Sequence, residues 1–287
     1  SPVRDYVKNT LKQDVDWDGE NVTLGGNAFI KPQKVYNGRS YAKTSDLDNA
    51  AKEWAKNQGM EGVRDYAKNN LGMNNLGWDN GNITYKGQNF MTPTYTIAGT
   101  SYATPEAINV AADAYRANNK YVPVRQDMTG QGFYDKGIGY KDGNITYHGS
   151  NIGSPDMIQD GVSYMNPVSY DEMIKKLTED DVDAASTLAS MGISNGVEFK
   201  SDGTVSILGM PVNVSQLKTD ENGKVFAHVN KNDFENAYTQ YRKNNPTIQD
   251  VFNEYKNTYG NRVEKALSRI ENQKDFEYDL DDDPQYK

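Results

Sequence analysis

The sequence predicts an α+β fold of four tandem modules of roughly 60 residues, each a small antiparallel sheet with helices packed on it, followed by a helical C-terminal segment. The first observation is a hairpin pattern at 77–87, where two short strands flank the tight-turn pair Asn80-Gly81. The second is that this pattern returns along the chain. Its anchoring aromatic residues stand at positions 17, 78, 140 and 199, which are 61, 62 and 59 residues apart. Such periodicity is typical of repeat architectures.

Each predicted module has the same order of elements: a helix, the hairpin, a short strand, a second turn and a second helix. Val63 to Leu71 copies Val3 to Leu11 almost residue for residue, with apolar residues at helical spacing. Thr104 before a proline predicts a capped start for the second helix of the second module. Thr44 or Ser45 is the predicted cap in the first module. The modules occupy residues 1–60, 61–120, 121–180 and 181–245, and the helical segment with an acidic tail occupies 246–287.

The fourth module departs most from the others, as terminal repeats often do. Its predicted first helix runs from Val182 to Met191 and is followed by a hairpin at 199–207. Val212 and Val214 are predicted to share the next strand, which leads to an Asn222-Gly223 turn.

The repeat ends at Pro246. Apolar residues at helical spacing from Thr247 to about Gln273 predict one or two helices, with Gly260 as the expected interruption. The acidic end, 279–287, is predicted to be a mobile, solvated tail. The chain begins with Ser1 rather than Met and stops without a compact finish, so we expect a processed piece of a longer protein.

Composition excludes several classes of function. The net charge of −9 and the pI of about 4.9 argue against nucleic acid as the main partner, because phosphate binding needs a basic surface. No apolar run approaches the length of a membrane span, so no membrane-spanning segment is predicted. Cysteine is absent, which excludes disulfides, thiolate metal sites and cysteine nucleophiles.

The sequence shows no catalytic constellation, so we predict a protein that is not an enzyme and has no cofactor and no metal site. Asp14 to Gly19 matches the opening of a calcium loop, but its twelfth position is Gly25, so a hairpin turn with solvated carboxylates is the favoured interpretation. His148 and His228 fall at different places in the repeat and are expected on exposed strand faces. The sequence leaves open a pair of carboxylates that cleaves a glycosidic bond.

Two sets of repeated aromatic residues are the candidate interaction or core positions. The favoured interpretation is that both sets are core anchors, in which case Trp78→Ala would cost about 3 kcal/mol or more. The alternative is an aromatic platform for sugar rings. The first set precedes a turn and consists of Trp17, Trp78, Tyr140 and Phe199; the second follows a turn and consists of Tyr41, Tyr102, Tyr164 and Phe226.

Three motifs carry a family resemblance. At 37–41 (Asn-Gly-Arg-Ser-Tyr), 78–84 and 121–125 the chain resembles the copper amine oxidase N-terminal-like repeat, also called a stalk domain. Arg64 to Gly72, followed by Trp78-Asp79, is similar to that family's arginine-led helix and Trp-Asp strand. This chain departs from the family pattern by a further helix, such as 105–117. The resemblance implies accessory, stalk or wall-associated modules of Firmicute surface and phage proteins, and implies neither copper nor oxidase chemistry.

Residues 262–279 and 283–287 resemble a helical segment that follows such repeats in large virion-associated proteins of Firmicute phages. The two resemblances together imply a non-enzymatic structural protein of the virion, whose repeats dock on other virion subunits or on the host envelope. One alternative is a bacterial cell-surface stalk that binds cell-wall glycan. Another is the accessory region of a wall hydrolase whose catalytic domain lies beyond Lys287. Whether the chain forms an oligomer is left open.

Overall fold

The computed structural model describes residues 1–200, 204–212, 214–219 and 225–280. The fold is α+β, with helices and small antiparallel sheets alternating along the chain. It divides into two compact units, Ser1–Glu179 and Asp180–Lys287. The described helices are α1 (Val3–Thr10), α2 (Thr44–Asn57), α3 (Val63–Leu71), α4 (Pro105–Asn118), α5 (Val124–Gly130), α6 (Pro167–Thr178), α7 (Ala184–Ser190), α8 (Lys231–Asn244) and α9 (Ile248–Leu280), with a short 3₁₀ helix at Asp135–Gly137.

The strands form two kinds of sheet. The first kind is a meander of three consecutive antiparallel strands, of which the middle strand is the most buried. The meanders are β1 (Asp16–Trp17), β2 (Val22–Leu24) and β3 (Asn27–Ile30); β7 (Gly77–Asp79), β8 (Asn82–Tyr85) and β9 (Gln88–Met91); β13 (Ile138–Lys141), β14 (Asn144–Tyr147) and β15 (Ser150–Gly153); and β19 (Val197–Phe199), β20 (Val205–Ile207) and β21 (Met210–Val212).

The second kind, here called a hairpin sheet, is a hairpin joined by the short strand that precedes the first helix of the same predicted module. In the first module Pro2 takes the place of that strand through an isolated bridge to Tyr41. The hairpin sheets are β4 (Lys34–Tyr36) and β5 (Arg39–Tyr41); β10 (Tyr95–Ile97), β11 (Thr100–Ala103) and β6 (Glu61–Gly62); β16 (Met157–Gln159), β17 (Val162–Met165) and β12 (Val122–Pro123); and β22 (Val214–Thr219), β23 (Val225–Asn230) and β18 (Asp181–Asp183).

Tight turns with two left-handed residues set the register of these sheets. Asn80 and Gly81 have φ angles of 47° and 85°. Positive φ at both central residues matches the right-handed twist of the flanking strands. The same pair of positive angles occurs at Asn37-Gly38, Lys86-Gly87, Ala98-Gly99, Asp142-Gly143, His148-Gly149, Asp160-Gly161 and Leu208-Gly209.

Inside the unit Ser1–Glu179, the second and third hairpin sheets each complete the core that precedes them in sequence. Ile97 and Tyr102, from β10 and β11, are buried with Val3, Leu11 and Leu47 of the first module. Met157, from β16, is buried in the same way within the core of the second module, and Tyr164 packs against that core. The boundaries of the hydrophobic cores are therefore displaced from the boundaries of the sequence repeat.

Polar contacts reinforce the joint between the second core and the third hairpin sheet. The Tyr85 hydroxyl donates to the backbone carbonyl of Asp156 at 2.6 Å. The Arg116 guanidinium lies 4.2 Å from the centre of the Tyr164 ring and also donates to the side chain of Gln159. An arginine can do both because its hydrogen bonds lie in the guanidinium plane and its stacking surface lies above that plane.

Two predicted helix starts are wrong. Thr44 lies inside α2 and Lys43 is the N-cap, without a side-chain hydrogen bond. The Thr44 hydroxyl is instead 3.0 Å from that of Ser1. Val182 belongs to β18 rather than to a helix, because it pairs with Val229, and α7 begins at Ala184. The predicted cap Thr104 is confirmed, since its hydroxyl accepts from the backbone N–H of Ala107.

In the last part of the chain, one predicted strand is divided in two and one predicted interruption of a helix is absent. Val212 and Val214 lie in different strands, β21 and β22. Gly260 lies within α9, which is continuous from Ile248 to Leu280. One glycine costs a helix only about 1 kcal/mol relative to alanine, which does not interrupt so long a helix.

Among the residues with described positions, no helix combines the length and the apolar character that a bilayer crossing requires. Residues 281–287 of the predicted acidic tail and the Asn222-Gly223 turn fall outside the described ranges.

We expect Gly81→Ala to lower the free energy of unfolding by about 1 kcal/mol or more, measured by urea denaturation. A Cβ at Gly81 would meet nothing within 4 Å, so the loss comes from the positive φ alone. Gly130→Ala is the matched control, because Gly130 lies at the end of α5 with equally open space and no positive φ. An equal loss in both variants would contradict the turn argument.

We also expect the unit Ser1–Glu179 to lose stability above pH 10. Burial raises the pKa of Tyr85, Tyr115 and Tyr121 above the ordinary value of 10.0. A raised folded-state pKa contributes stability that is present below pH 10 and is lost as pH rises above that value. Urea titrations at pH 8 to 11 should show this decline. Tyr85→Phe removes one of the phenols, so its decline should be shallower; an unchanged slope would refute the assignment.

Candidate functional site

The four meanders each expose one aromatic side chain at the same place. Trp17, Trp78, Tyr140 and Phe199 lie on the first, edge strand of their meanders and are 48, 48, 51 and 46% exposed. The interpretation of this set as core anchors is therefore wrong. The repeated feature is a half-exposed ring on a sheet edge.

Strand pairing explains why these rings are half covered. Trp78 is directly opposite Ile83, which is 1% exposed, and Tyr140 is opposite Ile145. Directly opposed residues in an antiparallel pair share a face, so each ring points to the same side as a core residue. An edge strand has a neighbour on one side only, which leaves the outer half of each ring in solvent.

The residues of the second aromatic set differ in burial. Tyr102 is buried in the first core, whereas Tyr41 and Tyr164 are partly exposed. The assignment of Phe226 to this position is wrong by register. Tyr102 pairs with Gly62 and Tyr164 with Pro123, each directly before a helix, and the residue with that pairing in the fourth module is His228, opposite Asp183. Strands β22 and β23 have six residues each, whereas β10 and β11 have three and four, so the residue with this pairing lies two positions beyond Phe226.

Trp17 also forms a wall of a cleft of about 500 Å³ in the first module. The cleft lies between the start of α1, strand β1 and the hairpin β4–β5. Its polar groups are the guanidinium groups of Arg4 and Arg39 and the carboxylates of Asp5 and Asp16. An apolar ring beside donors and acceptors of both charges suits a ligand that has an apolar face and several polar groups.

Arg4 differs from its counterparts in the next two modules. Arg64 donates to the backbone carbonyl of Leu76, and Arg125 donates to the carboxylate of Asp135 at 2.8 Å. Within the described part of the chain, Arg4 makes neither a hydrogen bond nor an ion pair. Its guanidinium is therefore available to a ligand in the cleft. The sequence could have indicated this residue, since it leads the repeated first helix, but not its lack of a partner.

The calcium-like loop is a hairpin turn, as the favoured interpretation predicts. The Asp18 carboxylate accepts from the backbone N–H groups of Glu20 and Asn21 at 2.8 and 2.6 Å. These hydrogen bonds hold the pKa of Asp18 below its ordinary value. The described residues contain no group of three or more His, Asp or Glu side chains placed to hold a metal ion.

The histidines occupy unrelated environments. His148 is not on a strand face; it is a turn residue between β14 and β15, with a φ of 47°. Its exposed ring lies 4.3 Å from the ring of Tyr147 and stacks on Tyr134 at 6.0 Å. His228 lies on β23, as a strand position predicts, and is partly buried.

No family model, curated protein or solved structure matches this chain. The arguments on function consequently begin from two features of the chain itself. One is the half-exposed ring on the edge of each meander. The other is the cleft that contains Trp17 and Arg4.

Because Trp78 is half exposed, we expect Trp78→Ala to lower the free energy of unfolding by about 1 kcal/mol. Ile83→Ala, at the fully buried position directly opposite, should cost about 2–5 kcal/mol. Urea denaturation of both variants gives the comparison. A loss of about 3 kcal/mol or more for Trp78→Ala would show that the ring contributes to stability as a core residue does.

Proposed function

We propose that this chain is a non-enzymatic docking protein made of four tandem modules that bind through repeated aromatic edges. The observation that carries the proposal is the ring at the first strand of every meander, 46 to 51% exposed in each case. A ring retained at half exposure contributes little to the core and offers a rigid contact surface with low entropy cost.

Repetition favours a large or repetitive partner over a small, single ligand. Several weak contacts on one chain raise overall affinity through effective concentration when the partner presents repeated sites. Virion subunits and the cell envelope both present such arrays. The resemblance to virion-associated proteins supports a location in a phage particle, and there the proposed contacts of the modules are with other subunits or with the host envelope.

A second candidate function is a cell-surface stalk that binds wall glycan. The cleft favours it, because Trp17 beside Arg4 and two carboxylates can stack on a sugar ring and bind its hydroxyl groups. A wall hydrolase that uses these modules as an accessory region would need the same contacts, together with a catalytic domain elsewhere.

Mass spectrometry of purified phage particles from the encoding organism tests the location. Peptides from residues 1–245 in the particles, at a constant ratio to a known capsid subunit, are the expected result. Peptides found only in the cell-wall fraction would exclude the virion and leave the stalk as the better proposal.

Co-sedimentation with purified particles, and separately with host wall fragments, tests the binding surface. We expect the double variant Trp17→Ala/Trp78→Ala to bind about tenfold more weakly, because two contact rings are removed. The matched control is Val110→Ala/Val168→Ala, two side chains that are 66 and 68% exposed on helices α4 and α6. Equal binding by both double variants would refute the aromatic edges as the docking surface.

A further inference from the structure

The first hairpin sheet exposes a surface that is buried in the next two. Tyr36, Ile97 and Gln159 are equivalent, because each is the last residue before the turn of its hairpin. They are 59, 0 and 7% exposed. Ile97 and Gln159 are buried because the preceding core and its second helix cover them. In the first module, no described residue covers Tyr36 in this way.

The fourth module carries the complementary surface. Helix α8 has the same length as α4, and its eleventh and twelfth residues, Tyr241 and Arg242, match Tyr115 and Arg116. Arg116 stacks on the third hairpin sheet while it pairs with Asp113. Arg242 likewise pairs with an aspartate, Asp250, and a guanidinium that pairs in its plane can also stack on a ring.

A pocket beside α8 has a counterpart at an occupied joint. It measures about 290 Å³ and is lined by the loop 193–196, the turn Leu208-Gly209 and Tyr241. The matching loop and turn of the second module, at 72–75 and 85–86, line a pocket together with Pro155 and Asp156 of the following hairpin sheet. The lining described for the pocket of the fourth module includes no residues that precede a hairpin sheet.

We propose that the hairpin sheet β4–β5 of one copy docks on the α8 end of the fourth module in a second copy. The contact continues the joints already present within Ser1–Glu179, with Arg242 stacked on Tyr41 as Arg116 is on Tyr164. Donor and receptor surfaces differ, so the association is head to tail and builds rings or open chains of copies. The contact does not use the rings of the meander edges, although β4–β5 also lines the cleft beside Trp17, so the inference can fail while the proposed function stands.

Cross-linking between single-cysteine variants tests the contact directly, because the chain has no native cysteine. Gln33 is the counterpart of Asp156: their backbone N–H groups donate to the carbonyls of Tyr41 and Tyr164, both at 2.9 Å. Ser194 lines the pocket on α8. A short bis-maleimide should join Gln33→Cys to Ser194→Cys when the two variants are mixed. Mixing Val168→Cys with Ser194→Cys is the control, and equal yields in the two mixtures would overturn the proposal.

Sedimentation velocity over a concentration series tests the association itself. We expect the wild-type chain to associate and Tyr36→Asp to weaken the association constant by about tenfold or more. Val168→Asp, at an exposed site on α6, should leave it unchanged. Tyr36 is 59% exposed, so the variant should fold, which circular dichroism checks. A monomeric wild type, or association lost in Leu267→Asp on α9 and retained in Tyr36→Asp, would overturn the proposal.

Discussion

The packing of a hairpin sheet on the core that precedes it is the interaction on which the unit Ser1–Glu179 depends. A predicted module of roughly 60 residues buries little apolar surface alone and would be only marginally stable. Ile97 and Met157 supply the missing surface from the next stretch of chain. The Tyr85 hydroxyl and the Arg116 guanidinium then satisfy polar groups at the second joint, so the contact adds apolar burial without leaving buried donors unpaired.

The same constraint explains where the chain can interact. Most core residues of each meander lie on the central strand, and the first strand holds its ring half over the core and half in solvent. Substitution of Trp78 therefore changes a surface that contributes only partly to the stability of the fold. The cleft at Trp17 adds polar groups beside one such ring, and Arg4 has no partner within the described part of the chain, in contrast to Arg64.

The sequence predicts the α+β class and the tight turns because both depend on local chemistry, such as the Asn80-Gly81 pair and the spacing of Val3, Val7 and Leu11. Exposure of Trp78 depends on its place at a sheet edge, which alternation within one strand does not report. The error at Phe226 has the same origin, because the longer hairpin β22–β23 brings His228 rather than Phe226 opposite Asp183, and no local signal reports this pairing. At Thr44 a contact with Ser1, distant in sequence, replaced the local cap.

The offset between sequence repeat and hydrophobic core has a consequence for how such a protein can change its length. A stretch copied from the start of one module to the start of the next carries both a core that accepts a hairpin sheet and a hairpin sheet that fits such a core. A duplication of such a stretch would therefore lengthen the chain by one whole step without requiring a new surface. A cut at a repeat boundary, by contrast, removes Met157 from the core that needs it.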